Sequence, residues 1–146
     1  MRYLSPALKA DNLKYWEQVK RDRPADAKDG YGFPDPPIYD LCDRLNAIEG
    51  VCTVQSCAGH RMAAADGSGE YQHVGKLWLR LSEPLALRFY ERAPELASVY
   101  PTIQRVFVFW HESGEEVVDV LFQGLNVSEE AFDESSKLIA DFFSSL

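Results

Sequence analysis

The chain is expected to fold as an α+β protein, a two-layer sandwich in which an antiparallel or mixed sheet of about four strands carries helices on one face. Three observations predict it. The elements read helix, helix, strand, strand, helix, strand, strand, helix, so hairpins alternate with helices. The segment "KLWLRLS" (76–82) puts Leu77, Leu79 and Leu81 on one side and Lys76, Trp78 and Arg80 on the other. The apolar stretch "TIQRVFVFWH" (102–111), the turn "ESGE" and "EVVDVLFQGL" (116–125) make the cleanest hairpin. Strict strand-helix-strand alternation is absent, which excludes a doubly wound parallel sheet.

With 146 residues, 46% of them hydrophobic, the chain can bury a core as a single domain over residues 1–146. Residues 7–22 predict the first helix, with Leu8, Leu13, Trp16 and Val19 on one broad face and Pro24 ending it. The segment 24–37 holds four prolines and two glycines and predicts a long loop carrying Tyr31 and Phe33. Helix and loop together, residues 1–37, are expected at the periphery.

A second helix is expected over 37–48, where Ile38, Leu41, Leu45 and Ile48 recur at helical spacing and Gly50 suits a left-handed close. "VCTVQS" (51–56) is β-branched and predicts a strand. Simple alternation along it puts Cys52, Val54 and Ser56 on one face, with Val51, Thr53, Gln55 and Cys57 on the other. Residues 65–75 predict a glycine-rich loop or wide turn. Ser82 is positioned to cap a third helix over 83–93, and Ser128 a last one with Glu129 and Glu130 in its first turn.

Charge narrows the partners. The net charge is −8, so the field of the whole chain opposes RNA unless basic residues cluster locally. No apolar run approaches the roughly 20 residues of a membrane helix, and the N-terminus does not read as a secretory signal, so a cytosolic location is expected. Three cysteines, an odd number without such a signal, do not suggest a disulfide framework.

The chemistry concentrates in Gln55-Ser56-Cys57-Ala58-Gly59-His60, at the end of a strand. Gly59 permits a positive φ, and the bend can bring the His60 imidazole back toward the Cys57 thiol. Three chemistries remain open. His60 can activate Cys57 as a nucleophile, making these two the catalytic candidates. Cys57 and His60 can contribute to a metal site with His73, Cys52 or His111, although two ligands at this spacing do not define one. The glycine bend can hold an anion or cofactor on its backbone N–H groups, with Ser56 and Gly59 lining the site and Tyr71 and His73 closing over it. The bland alternative is a structural turn with a small buried cysteine. The strand around Phe107, Phe109 and Trp110 is apolar on both faces, so it is central or meets a partner.

The pattern Thr53-x-x-Ser56-Cys57-Ala58-Gly59-His60, preceded by a helix carrying "LCDRLNAIEG", resembles the wybutosine-synthesising tRNA methyltransferase family. The branch in question methylates a precursor of the tricyclic base in phenylalanine tRNA. The resemblance spans about residues 38–84, with Lys76, Trp78 and Ser82 in comparable places. Ala58 stands where the family has Ser, His60 where it has Arg, and Glu83 where it has His. The resemblance implies S-adenosylmethionine as cofactor and Ser56, Cys57, Gly59 and His60 in the site, with Lys76 beside it.

The sequence therefore favours a small-molecule or nucleotide-like ligand site, in a methyltransferase-like transferase. Two alternatives stand beside it: a non-enzymatic module forming a homodimer through the hairpin 102–125, and a small Cys/His metal-binding protein.

Overall fold

In the computed structural model, residues 3–27, 33–59, 61–63, 66–67, 70–72 and 74–146 are described, those at 61–63, 70–72 and 98–99 by their backbone alone. The elements run α1 (Pro6–Asp22), a 3-10 turn (Pro36–Ile38), α2 (Tyr39–Asn46), β1 (Val51–Cys57), β2 (Arg61–Ala63), β3 (Glu70–Gln72), β4 (Gly75–Leu81), α3 (Glu83–Val99), β5 (Ile103–Trp110), β6 (Glu116–Phe122) and α4 (Glu129–Ser144). Strands β1, β4, β6 and β5 form, in that order, a four-stranded antiparallel sheet. Strands β2 and β3 pair separately, inside the segment expected to be a loop. The α+β architecture is as the sequence predicts.

One face of the sheet is closed by α2, α3 and α4. Leu77, Leu79 and Leu81 are buried there with Val118, Val120 and Phe122. Helix α3 presents Phe89, which stacks on Phe143 of α4 with ring centroids 5.8 Å apart. Ile38, Leu41 and Leu45 complete the layer from the α2 side. Each of these side chains removes apolar area from water, at about 25 cal/mol per Å².

Helix ends follow local chemistry. Ser5 Oγ accepts from Leu8 N–H at 3.1 Å, and Ser128 Oγ from Ala131 N–H at 3.0 Å. Ser82 holds the N-cap position of α3 with no side-chain capping bond. Gly50 closes the α2 region at φ 82°. Helix α1 lies along the β1 edge, where Trp16 Nε1–H donates to Asp43 Oδ1 at 2.7 Å and joins the core.

Two departures from the sequence expectations have physical causes. Helix α3 does not stop before Pro94 but runs on to Val99. Proline removes one helical hydrogen bond, but Leu96, beyond it, is fully buried on the same apolar face as Phe89, and that burial carries the helix onward. In β1 a bulge between Thr53 and Gln55 breaks the simple alternation. The Thr53 N–H donates to Asn46 Oδ1 at 2.8 Å, while Asn46 Nδ2 donates to Thr53 Oγ1 at 3.0 Å. Val51, Thr53 and Ser56 therefore share the helix-covered face, and Cys52, Gln55 and Cys57 the opposite one. The expected grouping of Ser56 with Cys52, and of Cys57 with Val51 and Thr53, is corrected accordingly.

Candidate functional site

Cys57 ends β1, and the bend beyond it is held from two sides. The Ala58 N–H donates to Asp35 Oδ2 at 2.9 Å, and Ala58 O accepts from Leu125 N–H at 2.7 Å. Asp35 is itself 3% exposed, so a carboxylate from the proline-rich loop is buried to secure this one turn. Gly124 lets the two backbones touch: a Cβ there would fall 2.7 Å from both Ala58 O and Gly75 N. Gly59 takes φ 87°, the left-handed bend the sequence anticipates.

The sequence-predicted residues separate once placed. Ser56 lies on the helix-covered face, near enough to the Cys42 thiol to favour its charged form. Burial pushes that thiol up to about 12, against the lowering effect of Ser56, so Cys42 stays a neutral core residue. Cys57 faces the other way, half-buried, paired across the strands with Lys76. Tyr71 lies on β3, described by backbone alone. His60 and His73 fall outside the described residues, and with them the expected thiol–imidazole pair. None of the three cysteines forms a disulfide. Among the described residues no group of three His, Cys, Asp or Glu side chains could hold a metal ion.

The face that Cys57 shares has an order the sequence does not spell out. Directly paired residues on antiparallel strands point the same way, so the register arranges the side chains in cross-strand rows. The first row is Cys57, Lys76, Leu121 and Arg105; the second Gln55, Trp78, Asp119 and Phe107. Cys52 and Arg80 begin a third row, and Val117 and Phe109 end it. Among the described residues only the β1 margin is covered, by α1, which packs along β1 where the Cys52 thiol donates to Thr53 O at 3.6 Å.

Aromatic rings and cations dominate this open face. The Lys76 ammonium sits 4.2 Å from the Trp78 ring centroid, and the Arg105 guanidinium 4.8 Å from that of Phe107. Arg80 forms an ion pair with the buried Glu115. In a chain of net charge −8, Lys76 and Arg105 are a local basic pair. Adjacent strands stand about 4.8 Å apart, so β4 and β5 are roughly 10 Å apart across β6. Yet Trp78 and Phe109 meet at 5.2 Å, and Phe107 and Phe109 at 5.6 Å. The rings must lean together over β6, and this roof explains why Val117 and Asp119 are 0% and 3% exposed without a helix above them.

Asp119 is the residue that sequence reasoning missed. Its Oδ1 and the Trp78 Nε1–H are both buried without a hydrogen bond of good geometry, although the indole N–H lies near enough to favour the charged carboxylate. Burial outweighs that help and the charges of Lys76 and Arg105, and raises the carboxyl above its ordinary value. The available signal was one carboxylate in the otherwise apolar run "VVDVLF".

No protein-family model matches the chain. No curated protein matches it either. Among solved structures it is similar to the PH1069 protein from Pyrococcus horikoshii, at 14% identity and a TM-score of 0.48, over 94% of this chain and 85% of that one. The likeness is remote, and no activity follows from it.

Proposed function

We propose that the open sheet face, with the Cys57–Gly59 bend at its corner, is a binding site for a nucleotide-like ligand in a methyltransferase-like transferase. One observation carries this reading: Cys57, Lys76 and Arg105 share a row directly beside the Trp78–Asp119–Phe107 row. Aromatic rings on an open antiparallel sheet offer a stacking surface for a planar base, and two adjacent cations offer a seat for its phosphate or carboxylate. The resemblance of residues 38–84 to the wybutosine-synthesising tRNA methyltransferases supports transfer to a nucleoside. S-adenosylmethionine fits the same chemistry, since Trp78 and Phe107 suit its adenine ring and Lys76 and Arg105 its carboxylate; when bound it supplies the methyl group. In this reading Cys57 and Lys76 line the ligand, while Asp35 and Gly124 position the bend.

The test is a thermal-shift and tryptophan-fluorescence screen against S-adenosylmethionine, nucleoside monophosphates and short RNAs, because a ligand of the native state raises Tm. At least one probe is expected to raise Tm, and Phe107→Ala to weaken its binding about tenfold or more, given roughly 1–3 kcal/mol per stacked base. A screen in which no probe shifts Tm ends this reading.

A second reading, homodimerisation through the hairpin 102–125, has its own observation. Strand β5 is an edge strand whose Phe107 and Trp110 are 38% and 54% exposed, with no proline or lysine to blunt the edge. Sedimentation equilibrium of the wild type and Trp110→Lys decides it: a monomer at every concentration sinks the dimer.

A further inference from the structure

We propose that Asp119 is a specificity-determining residue of the open face, accepting a hydrogen bond from an N–H on the edge of a planar heterocyclic ligand stacked beside Trp78 and Phe107. The inference rests on the reading of this face as a ligand site.

Three observations converge on it. Asp119 is 3% exposed, and its Oδ1 has no hydrogen bond of good geometry, the Trp78 indole N–H beside it being poorly placed. A buried carboxylate oxygen left unsatisfied is rare, because the group loses its hydration and gains nothing in return. Its roof is not rigid backbone or a helix but the rings of Trp78, Phe107 and Phe109, leaning together from neighbouring strands. Side chains at a surface change rotamer on picosecond to nanosecond timescales, so a flat guest can part them without disturbing the sheet. The row beside Asp119 carries Lys76 and Arg105, placed to hold an anionic group of the same guest. The guest is thus a planar ring with an N–H donor at one edge and a phosphate or carboxylate attached. A carboxylate can accept such a hydrogen bond, and full methylation of the donor nitrogen, in the ring or exocyclic, removes it.

The structural alternative is that Asp119 serves the fold. The two roles predict opposite things. A group that stabilises the fold lowers Tm when replaced. A group retained for a ligand can be replaced with Tm unchanged or raised, while selectivity is lost.

The experiment uses the full chain and Asp119→Asn. Binding of uridine and adenosine 5′-monophosphates is compared with that of 3-methyluridine and N6,N6-dimethyladenosine 5′-monophosphates, by calorimetry, beside the melting curves. Wild type is expected to prefer an N–H-bearing probe over its methylated counterpart by about tenfold or more, as a hydrogen bond to a charged group implies. The variant is expected to lose most of that preference and to melt at the same temperature or higher. A wild type indifferent to methylation, or a variant that keeps the preference, overturns the proposal while leaving the ligand site standing. A variant that melts lower assigns Asp119 to the fold and overturns it too. If none of the four binds wild type, the proposal is overturned, and the ligand-site reading falls with it when the wider screen is empty too.

Discussion

The same four strands present two unlike faces. Toward α2, α3 and α4 the sheet shows Leu77, Leu79, Leu81, Val118, Val120 and Phe122, all buried. Away from them it shows Lys76, Trp78, Arg80, Asp119, Arg105 and Phe107, in which cations lie over rings and a carboxylate hides beneath them. The first face is closed by other elements and is lined by aliphatic and aromatic side chains, although Tyr39 Oη and Ser136 Oγ in its helix layer are also buried without a hydrogen bond. Among the described residues the second is covered by α1 at its β1 margin and elsewhere by its own side chains, and the Trp78 indole N–H, an Asp119 oxygen and Arg80 Nε are buried there without a hydrogen bond of good geometry. Burial by a helix layer consumes surface for stability, whereas burial by rotatable rings can be reversed. The difference locates the candidate site more sharply than the Cys57 bend alone.

The contrast can be broken at three points, taken in order of effect. The largest is expected on the closed face. Leu79→Ala removes a fully buried side chain between β4 and the helices and should lower stability by about 3 kcal/mol, read from urea unfolding. A loss below about 1 kcal/mol would mean that this face is not the core. Next comes the junction. Asp35→Ala leaves the buried Ala58 N–H without its acceptor and should cost about 2 kcal/mol. Hydrogen exchange at the Ala58 amide should accelerate with it, and an unchanged exchange rate would show that Leu125 alone secures the bend.

The smallest effect belongs to the open face and has the opposite sign. The raised carboxyl of Asp119 holds its proton longer in the folded chain than in the unfolded one. Its contribution to stability is therefore lost as pH rises from the ordinary carboxylate value through the raised one. Lys76, Arg105 and the Trp78 indole N–H oppose this without cancelling it. Asp119→Asn lacks the titration, so its stability gain over wild type should grow from acid to neutral pH and stay below the losses expected at Leu79 and Asp35. A difference that stays flat across that range contradicts the buried, under-satisfied carboxylate described here.

Much of the architecture was legible. The alternation of Leu77, Leu79 and Leu81 fixed the β4 core face, the hairpin 102–125 paired as expected, and Gly50 and Gly59 took the positive φ that their positions suggested. The candidate site was legible only in part. Cys57 and Lys76 were picked out separately, and the strand register makes them neighbours. Asp119 and Arg105 were not picked out, since a carboxylate and a guanidinium on a strand ordinarily mark solvent. Asp35 could not be connected to Ala58 across 23 residues of chain. The bulge between Thr53 and Gln55 was also hidden, because it exists only in the pairing of β1 with β4 and in the bonds Thr53 makes to Asn46 of α2.

Order along the chain thus decided most of the helices and the four strands of the main sheet, because periodicity, caps and glycine dihedrals act over a few neighbours. Packing decided which side of each strand meets the helices, where Pro94 is overridden, and how three rings from two strands come to roof one acid. Those outcomes depend on atoms far apart in sequence but adjacent in space, and strand register, which no single segment contains, brings them together.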